Sequence, residues 1–352
     1  MSTWLVTGGA GYIGAHVVRA LQAKGLAPVV LDDLSSGIAA FVPDGVPFVR
    51  GDILDTATVT GILREHACAG VIHVAGFKYA GVSVERPLHT YAQNVTGTAS
   101  VLAAMTEASV ANIVFSSSAA VYGTPATDLV TEESPHAPES PYGESKLIGE
   151  WLINDVARAT EGFRGVSLRY FNVVGSATDD VCSSLRSSRP SIGSGIRASS
   201  SPARLNPVYD ASPHNLFPLV IEALLAGRTP RIYGDDYPTP DGTCVRDYVH
   251  VGDLAVSHVA AALALEAGRP LRKAYNLGSG DGLSVRQIMD AMARVTGIDF
   301  SPEIAPRRPG DPARIVADGT AAAADLDWRM SYSVDEMVSS AWSARRASGP
   351  AS

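Results

Sequence analysis

Cysteine is scarce in this 352-residue chain. Cys68, Cys182 and Cys244 stand far apart, so neither a disulfide framework nor a cysteine metal site can be read from them. Reduced, structural thiols and no bound metal are expected. Charge is also sparse at 18%, and the formal net charge of -8 comes without a Lys- or Arg-rich run able to hold a phosphate backbone. That excludes nucleic acid as a natural partner. No apolar run approaches the ~18 residues of a membrane helix, and "MSTWLVTGGAGYIG" reaches glycines before a signal-peptide core can form. A cytoplasmic protein without membrane contact is expected. Aromatics are few at 7%, yet hydrophobic residues reach 46%, ordinary for a chain with a large core. At this length, two domains or one enlarged α/β domain are anticipated.

Alternation is what the first half has in plenty. Short apolar runs at 3–7, 28–32, 47–51, 70–75, 112–117 and 165–171 alternate with helix-length stretches near 12–24, 56–66, 86–108 and 142–160. This predicts an α/β fold of Rossmann type, a doubly wound parallel sheet with crossover helices. The pattern breaks at 176–212, rich in Ser, Gly, Pro and Arg, where a flexible insert is expected. Beyond it, 215–227, 251–268 and 284–297 read as helices, and 273–280 reads as a strand and turn. The tail after about 345 is expected to fray. The predicted division is a dinucleotide-binding domain over 1–175, with a returning segment near 231–262, and a smaller mixed α/β substrate domain over 176–352.

"TGGAGYIG" places Gly8, Gly11 and Gly14 between a predicted strand and a predicted helix. Glycine there permits a tight turn and lets the backbone approach a pyrophosphate, while the helix N-terminus supplies unpaired N–H groups. A plain glycine-rich turn would look the same, so the acid that follows matters. Asp32 ends the second strand about 20 residues on, where a carboxylate accepts bonds from the ribose hydroxyls of an adenosine. With Asp33 beside it and no arginine next, NAD is favoured over NADP. Asp52, in "GDILD", suits an adenine amino group, although Gly-Asp is also ordinary turn chemistry.

"SPYGESK" sets Tyr142 and Lys146 one helical turn apart on one face. An ammonium beside a phenol is expected to lower its pKa by ~1 to 3 units, making Tyr142 a general base for a sugar hydroxyl. Ser118 ends the fifth strand, on the edge where open α/β sheets bind ligands, and its hydroxyl suits the same oxygen. Singly, each residue reads as helix surface or turn. Together with the glycine loop and Asp32 they read as a site. Glu144 and Ser145 between the pair are expected to be plain helix surface.

These residues, with "HVAGFKYAGVSV", "FSSSAAVYG", "LRYFN", "YGDDYPTPDGTCVRDYVHVGDLA" and "APRRPGD", resemble the extended short-chain dehydrogenase/reductase family. Within it, the UDP-sugar 4-epimerases are the nearest in pattern. The resemblance implies interconversion of UDP-galactose and UDP-glucose by transient oxidation at C4, rotation of a 4-keto sugar and return of the hydride. As NAD contacts it implies Gly8, Gly11, Tyr12, Ile13, Gly14, Asp32, Asp33, Asp52, Ile53, Phe77, Lys78, Asn94, Ser116, Tyr142, Lys146 and Phe171. For the UDP-sugar it implies Ser118, Asn172, Asn215, Leu216, Tyr233, Arg246, Tyr248, Arg308 and Asp311. The arginine forks suit a diphosphate. The resemblance also implies a homodimer packed through the helices near 86–108 and 142–158.

Two departures bear on substrate. The insert replaces a short loop bordering the family's substrate pocket, so 176–212 receives no assignment, and Ile315 stands where the family sorts N-acetylated sugars by size. A UDP-N-acetylglucosamine 4-epimerase therefore stays open as the alternative. A dehydratase of the same fold would carry an acid pair after the serine, where this chain has Ala119 and Ala120. A non-catalytic dinucleotide sensor would have lost Tyr142 or Lys146, and both are kept.

Overall fold

The computed structural model describes residues 1–177, 206–212, 214–308 and 311–349. Most of the expected insert, with Cys182, lies outside them. The first half runs β1 (Thr3–Thr7), α1 (Tyr12–Ala23), β2 (Ala27–Asp32), β3 (Phe48–Arg50), α2 (Thr56–Glu65), β4 (Cys68–His73), α3 (Ala80–Glu85), α4 (Pro87–Tyr91), α5 (Gly97–Glu107), β5 (Asn112–Ser116), β6 (Leu129–Val130), α6 (Pro141–Ala159) and β7 (Arg164–Tyr170). The expected 86–108 helix is α4 and α5 joined through a wide turn at Ala92–Thr96. Helix α3, short and with one fully buried residue, was not anticipated.

Seven strands form one parallel sheet in the order Ala274–Leu277, β7, β5, β4, β1, β2, β3. Its strands are apolar on both faces because both are covered. Trp4, Val6 and Val30 pack with Val17 and Leu21 of α1 and with Leu254 and Val259 of the helix Val251–Glu266. Leu5, Val29 and Leu31 pack the other way, on Val59 and Ile62 of α2 and Val101 and Met105 of α5. The stretch that rejoins this sheet is Val251–Leu277 rather than 231–262. Arg231–Tyr233 pairs instead with Glu303–Ala305, in a separate two-stranded ladder.

The smaller part holds a mixed sheet in which Val245–Arg246 pairs antiparallel with Leu283–Ser284 and parallel with Arg314–Ala317. Arg314–Ala317 continues onto β6. Helices Leu216–Leu225, Val285–Thr296 and Val334–Ala347 close a core around Phe217, Ile288, Met292 and Met337. Ser284 caps Val285–Thr296 in a reciprocal capping box, and Gly297 ends it in the left-handed conformation, as the Ser and Gly signals imply. Asn172–Val174 runs parallel to Tyr248–His250 and ties the two parts together.

Two expectations are corrected. Helix Val334–Ala347 runs two residues past 345, held by buried Arg345 paired with Glu222, and residues 350–352 of the expected tail lie outside the described residues. The stretch 206–212, expected within the flexible insert, is docked. Val208 is fully buried with Tyr12, Ala15 and Phe41, its carbonyl accepts a bond from Ser176 Oγ, and Arg19 Nη2 donates to the Asn206 carbonyl. Apolar Val208 and Tyr209 give that end something to bury.

Candidate active site

The glycine loop joins β1 to α1. A Cβ on Gly14 would sit 2.0 Å from the Gly8 carbonyl oxygen, and one on Gly8, at φ +71°, would sit 2.8 Å from Ala75 N. The turn is thus closed to side chains at both points. Gly11 at the cap of α1 brings no capping side chain, and the first turn carries no acidic residue. Its N–H groups and positive dipole end suit an anionic pyrophosphate. Tyr12 is buried and donates from its hydroxyl to the Gly175 carbonyl at 2.7 Å, while Ile13 packs on the core.

Asp32 lies under this loop, its Oδ2 accepting from Ala10 N at 3.0 Å and its Oδ1 from Leu34 N at 2.8 Å. Burial pushes its carboxyl above the usual range, and those N–H groups pull against that. Each oxygen keeps a lone pair for a ribose hydroxyl. Asp33 turns to solvent and holds its own turn through Ser35 N and Oγ, at 2.8 and 2.7 Å. Asp52 likewise accepts from Leu54 N at 2.9 Å, and Ile53 is buried against Gly97 of α5.

The catalytic candidates meet where β5 ends. Ser140 caps α6, its Oγ accepting from Gly143 N at 3.2 Å, and Pro141 fills the first helical position, where its missing N–H costs nothing. Gly143 lets the helix press on the turn after Ser118, since a Cβ there would lie 2.5 Å from the Ala120 carbonyl oxygen. The Ser118 hydroxyl lies beside the Tyr142 phenol, whose ring centre is 5.9 Å from Lys146 Nζ. Lys146 is buried, donates to the Ser116 carbonyl at 3.0 Å and sits 5.1 Å over the Phe115 ring.

The expected lowering of the Tyr142 phenol by its lysine is corrected here. Burial pushes the phenol above its ordinary 10.0, with the Ser118 hydrogen bond pulling the other way. The same burial pulls Lys146 down to about 8. Desolvation is the largest cause for both groups. Lys146 in turn helps hold the buried His73 neutral, pushed down to about 3 mainly by burial.

Glu144 and Ser145 are not idle surface either. Tyr91 donates its hydroxyl to Glu144, and Ser145, fully buried, donates to the Tyr142 carbonyl at 2.7 Å and accepts from Asn94 Nδ2 at 2.8 Å. Asn94 spends the rest of its amide on Phe77, accepting from its N at 2.7 Å and donating to its O at 3.0 Å. It holds the Gly76–Phe77 turn against α6. Lys78 reaches Asp210 at 3.8 Å, Phe171 packs on Val121 and Leu147, and Ser116 Oγ, fully buried, bonds His258 Nε2 at 2.9 Å.

The nucleotide candidates come from the junction and the smaller part. Asn172 donates to the Asp247 carbonyl at 3.0 Å, Asn215 to Asp210 Oδ2 at 2.9 Å, and Arg246 Nη2 to Asp311 Oδ1 at 3.3 Å. The Arg308 guanidinium stacks 4.1 Å over the Tyr233 ring, both exposed. Leu216 packs on the smaller core, and Tyr248 is buried against Phe217, away from any open face. The neighbouring Arg307 is tied to Asp236 and Tyr237.

Three groups escaped the reading of the sequence. Glu150 extends the four-residue spacing of Tyr142 and Lys146, a signal that was present. Arg169 and Asp210 carried none, because their partners are distant in sequence.

Residues 4–187 and 201–278 match the model of the NAD dependent epimerase/dehydratase family. A UDP-glucose 4-epimerase of Erwinia amylovora is 39% identical over 348 residues, covering 96% of each chain. The solved UDP-glucose 4-epimerase of Brucella ovis in complex with NAD superposes with TM-score 0.86 at 37% identity, covering 97% of this chain and 98% of that one. That of Bifidobacterium longum, in complex with NAD+ and UDP, gives 0.82 at 35% identity over 99% of both.

Proposed function

The chain belongs to the NAD dependent epimerase/dehydratase family, and from that premise we propose that it interconverts UDP-galactose and UDP-glucose by epimerisation at C4. The observation that carries this is the corner at the end of β5 where buried Lys146 donates to the Ser116 carbonyl and stands 5.9 Å from the Tyr142 ring, with Ser118 beside the phenol. NAD is the cofactor, and the closed glycine turn, the uncapped first turn of α1 and the Asp32 carboxylate fit it. The Gly8 to Gly14 loop with Tyr12 and Ile13 would hold its pyrophosphate and Asp32 its ribose. Asp52 and Ile53 would flank the adenine, and Phe77, Lys78, Ser116 and Phe171 the opposite end. Asp33 and Asn94 are read as supports of their turns. The residues named would hold NAD, which would supply a hydride acceptor and donor for C4.

Tyr142 takes the proton of the C4 hydroxyl and later gives it back, work worth ~10² to 10⁴ in rate. Because burial holds the phenol protonated, ionisation must be drawn by positive charge at the site, and Lys146 supplies one such charge at fixed distance. Ser118 Oγ keeps the reacting oxygen on the phenol. Arg246 and Arg308, with Asn172, Asn215, Leu216, Tyr233 and Asp311, would grip the UDP while the 4-keto sugar turns its other face. Tyr248 is read as a support of that wall. Ala119 and Ala120 after Ser118 offer no acid for eliminating water.

The division into a dinucleotide-binding domain over 1–175, with Val251–Leu277 returning to its sheet, and a substrate domain for the rest is part of the same proposal. So is a cytoplasmic setting, suited to the free, buried thiols of Cys68 and Cys244. Among the described residues, no helix is long and apolar enough to cross a membrane. A homodimer is proposed through α4, α5 and α6, where Leu88 is 83% and Trp151 54% exposed. Trp151→Glu is expected to elute as a monomer on size exclusion where the wild type elutes as a dimer.

The reading is tested by incubating purified protein with UDP-galactose and, separately, UDP-N-acetylgalactosamine, and separating the 4-epimers by chromatography. UDP-glucose is the expected product, and its absence overturns the proposal. Conversion of the acetamido sugar alone would establish the alternative epimerase.

A further inference from the structure

Glu150 stands two turns beyond Tyr142 and one beyond Lys146 on the same face of α6. It is 3% exposed, and both carboxylate oxygens are occupied. Its Oε1 accepts from Ser117 Oγ at 2.5 Å and from Arg169 Nε at 2.9 Å, and its Oε2 accepts from Arg169 Nη2 at 2.6 Å. Ser117 is fully buried and lies between the two residues that touch the catalytic pair. The carbonyl before it, on Ser116, receives Lys146, and the hydroxyl after it, on Ser118, meets Tyr142.

We propose that Glu150 is a positioning residue, which through Ser117 fixes the Ser116–Ser118 turn so that Lys146 and Tyr142 meet their partners in register. This rests on the function proposed above. Helix α6 then holds both members of each contact, the catalytic side chains directly and the turn through Glu150. The Ser117 backbone is pinned from the other side, its N–H donating to the Leu168 carbonyl at 2.9 Å. Its side chain and main chain thus clamp the turn between α6 and β7.

Arg169 makes such a clamp tolerable. A lone buried carboxylate would be costly to ionise, and the guanidinium fork cancels its charge with two bonds. The remaining arm of Arg169 donates from Nη1 to Tyr122 OH at 2.7 Å, and Tyr122 donates to Asn276 Oδ1 at 2.7 Å on the edge strand. That end of the chain anchors Arg169, and its hydrogen bonds go to neither Ser117 nor the catalytic pair.

A merely structural ion pair and a positioning clamp differ at Ser117. Ser117→Ala leaves the Glu150–Arg169 pair intact and removes only the link to the turn. Misplacement by about 1 Å costs about 10²-fold in rate, so Ser117→Ala is expected to lose kcat on UDP-galactose on the order of 10²-fold. Its KM and its affinity for UDP by calorimetry should stay within about twofold of wild type. Glu150→Gln should lose kcat likewise if it folds. Tyr122→Phe, at the far end, should lower the thermal midpoint and keep kcat.

A crystal structure of Ser117→Ala gives the readout independent of turnover, the expected result being a Ser118 hydroxyl displaced from Tyr142 and a lengthened contact from Lys146 to Ser116. Contacts unchanged in that structure, or wild-type kcat, overturn the clamp. A wild-type protein inactive on UDP-galactose removes the proposed function instead, and the crystal structure still decides the clamp.

Discussion

Around Tyr142 the polar side chains are buried and partnered, Lys146 with a carbonyl, Ser117 with Glu150 and Glu150 with Arg169. Across the junction, Tyr233, Arg308, Asn172 and Asn215 stand exposed. The first region has met its ordering cost during folding, while the second meets it on binding. Proton transfer needs sub-ångström placement and profits from a rigid site. Holding a nucleotide while its sugar rotates needs reach instead.

The contrast is broken most severely at Tyr142. Tyr142→Phe is expected to fold and retain NAD while losing at least ~10² of turnover, read from initial rates. Near wild-type turnover would remove the phenol as the base and make the buried corner merely structural.

Acid should sharpen the contrast from the stability side. His16 and His73 are pushed down to about 3, and His250 and His258 to about 4, all mainly by burial; three lie against the large sheet or its covering helices, and His250 lies at the junction, stacked on Tyr332. A histidine lowered in the folded state leaves the unfolded chain binding more protons below its ordinary 6.5. Stability is therefore full above pH ~6.5 and falls toward ~4, by up to about 1.4 kcal/mol per pH unit for each histidine. The raised carboxyls of Asp32, Asp247 and Asp253 oppose this at the acid end. Denaturant melts at pH 7 and 5 measure the difference, and equal midpoints would contradict the burial argument.

The smallest effect is expected on the exposed side. Arg308→Ala should raise KM for UDP-galactose about tenfold, the lower end of a charge-assisted bond, with kcat within about twofold. An unchanged KM would return Arg308 to a solvent role, stacked on Tyr233. A fall in kcat instead would mean that the two regions are coupled more tightly than their separate partners suggest.

Much of the large sheet was legible in advance, because a buried parallel strand must be apolar on both faces and its crossover helices keep their own period. Tyr142, Lys146 and Ser118 were legible because spacing along a helix and position at a strand end are local properties. The rejoining strand Ala274–Leu277 was not placed, since a short apolar run does not say which sheet it completes. The direction of the Tyr142 shift was misread for a related reason: a neighbouring ammonium is visible in a sequence, whereas the depth at which both groups are buried is not.

The amino-acid sequence by itself determined the alternation of strands and crossover helices in the first half, the glycine turn that admits a pyrophosphate, and the helix that carries phenol and ammonium on one face. Only the tertiary structure decided that Glu150 and Arg169 lie beneath them, that Asn94 holds a turn, and that Val208 docks beside Tyr12. Periodicity and capping act between neighbours in the chain, but desolvation and buried pairing depend on which distant segments close over a group, and that is settled only when the layers pack.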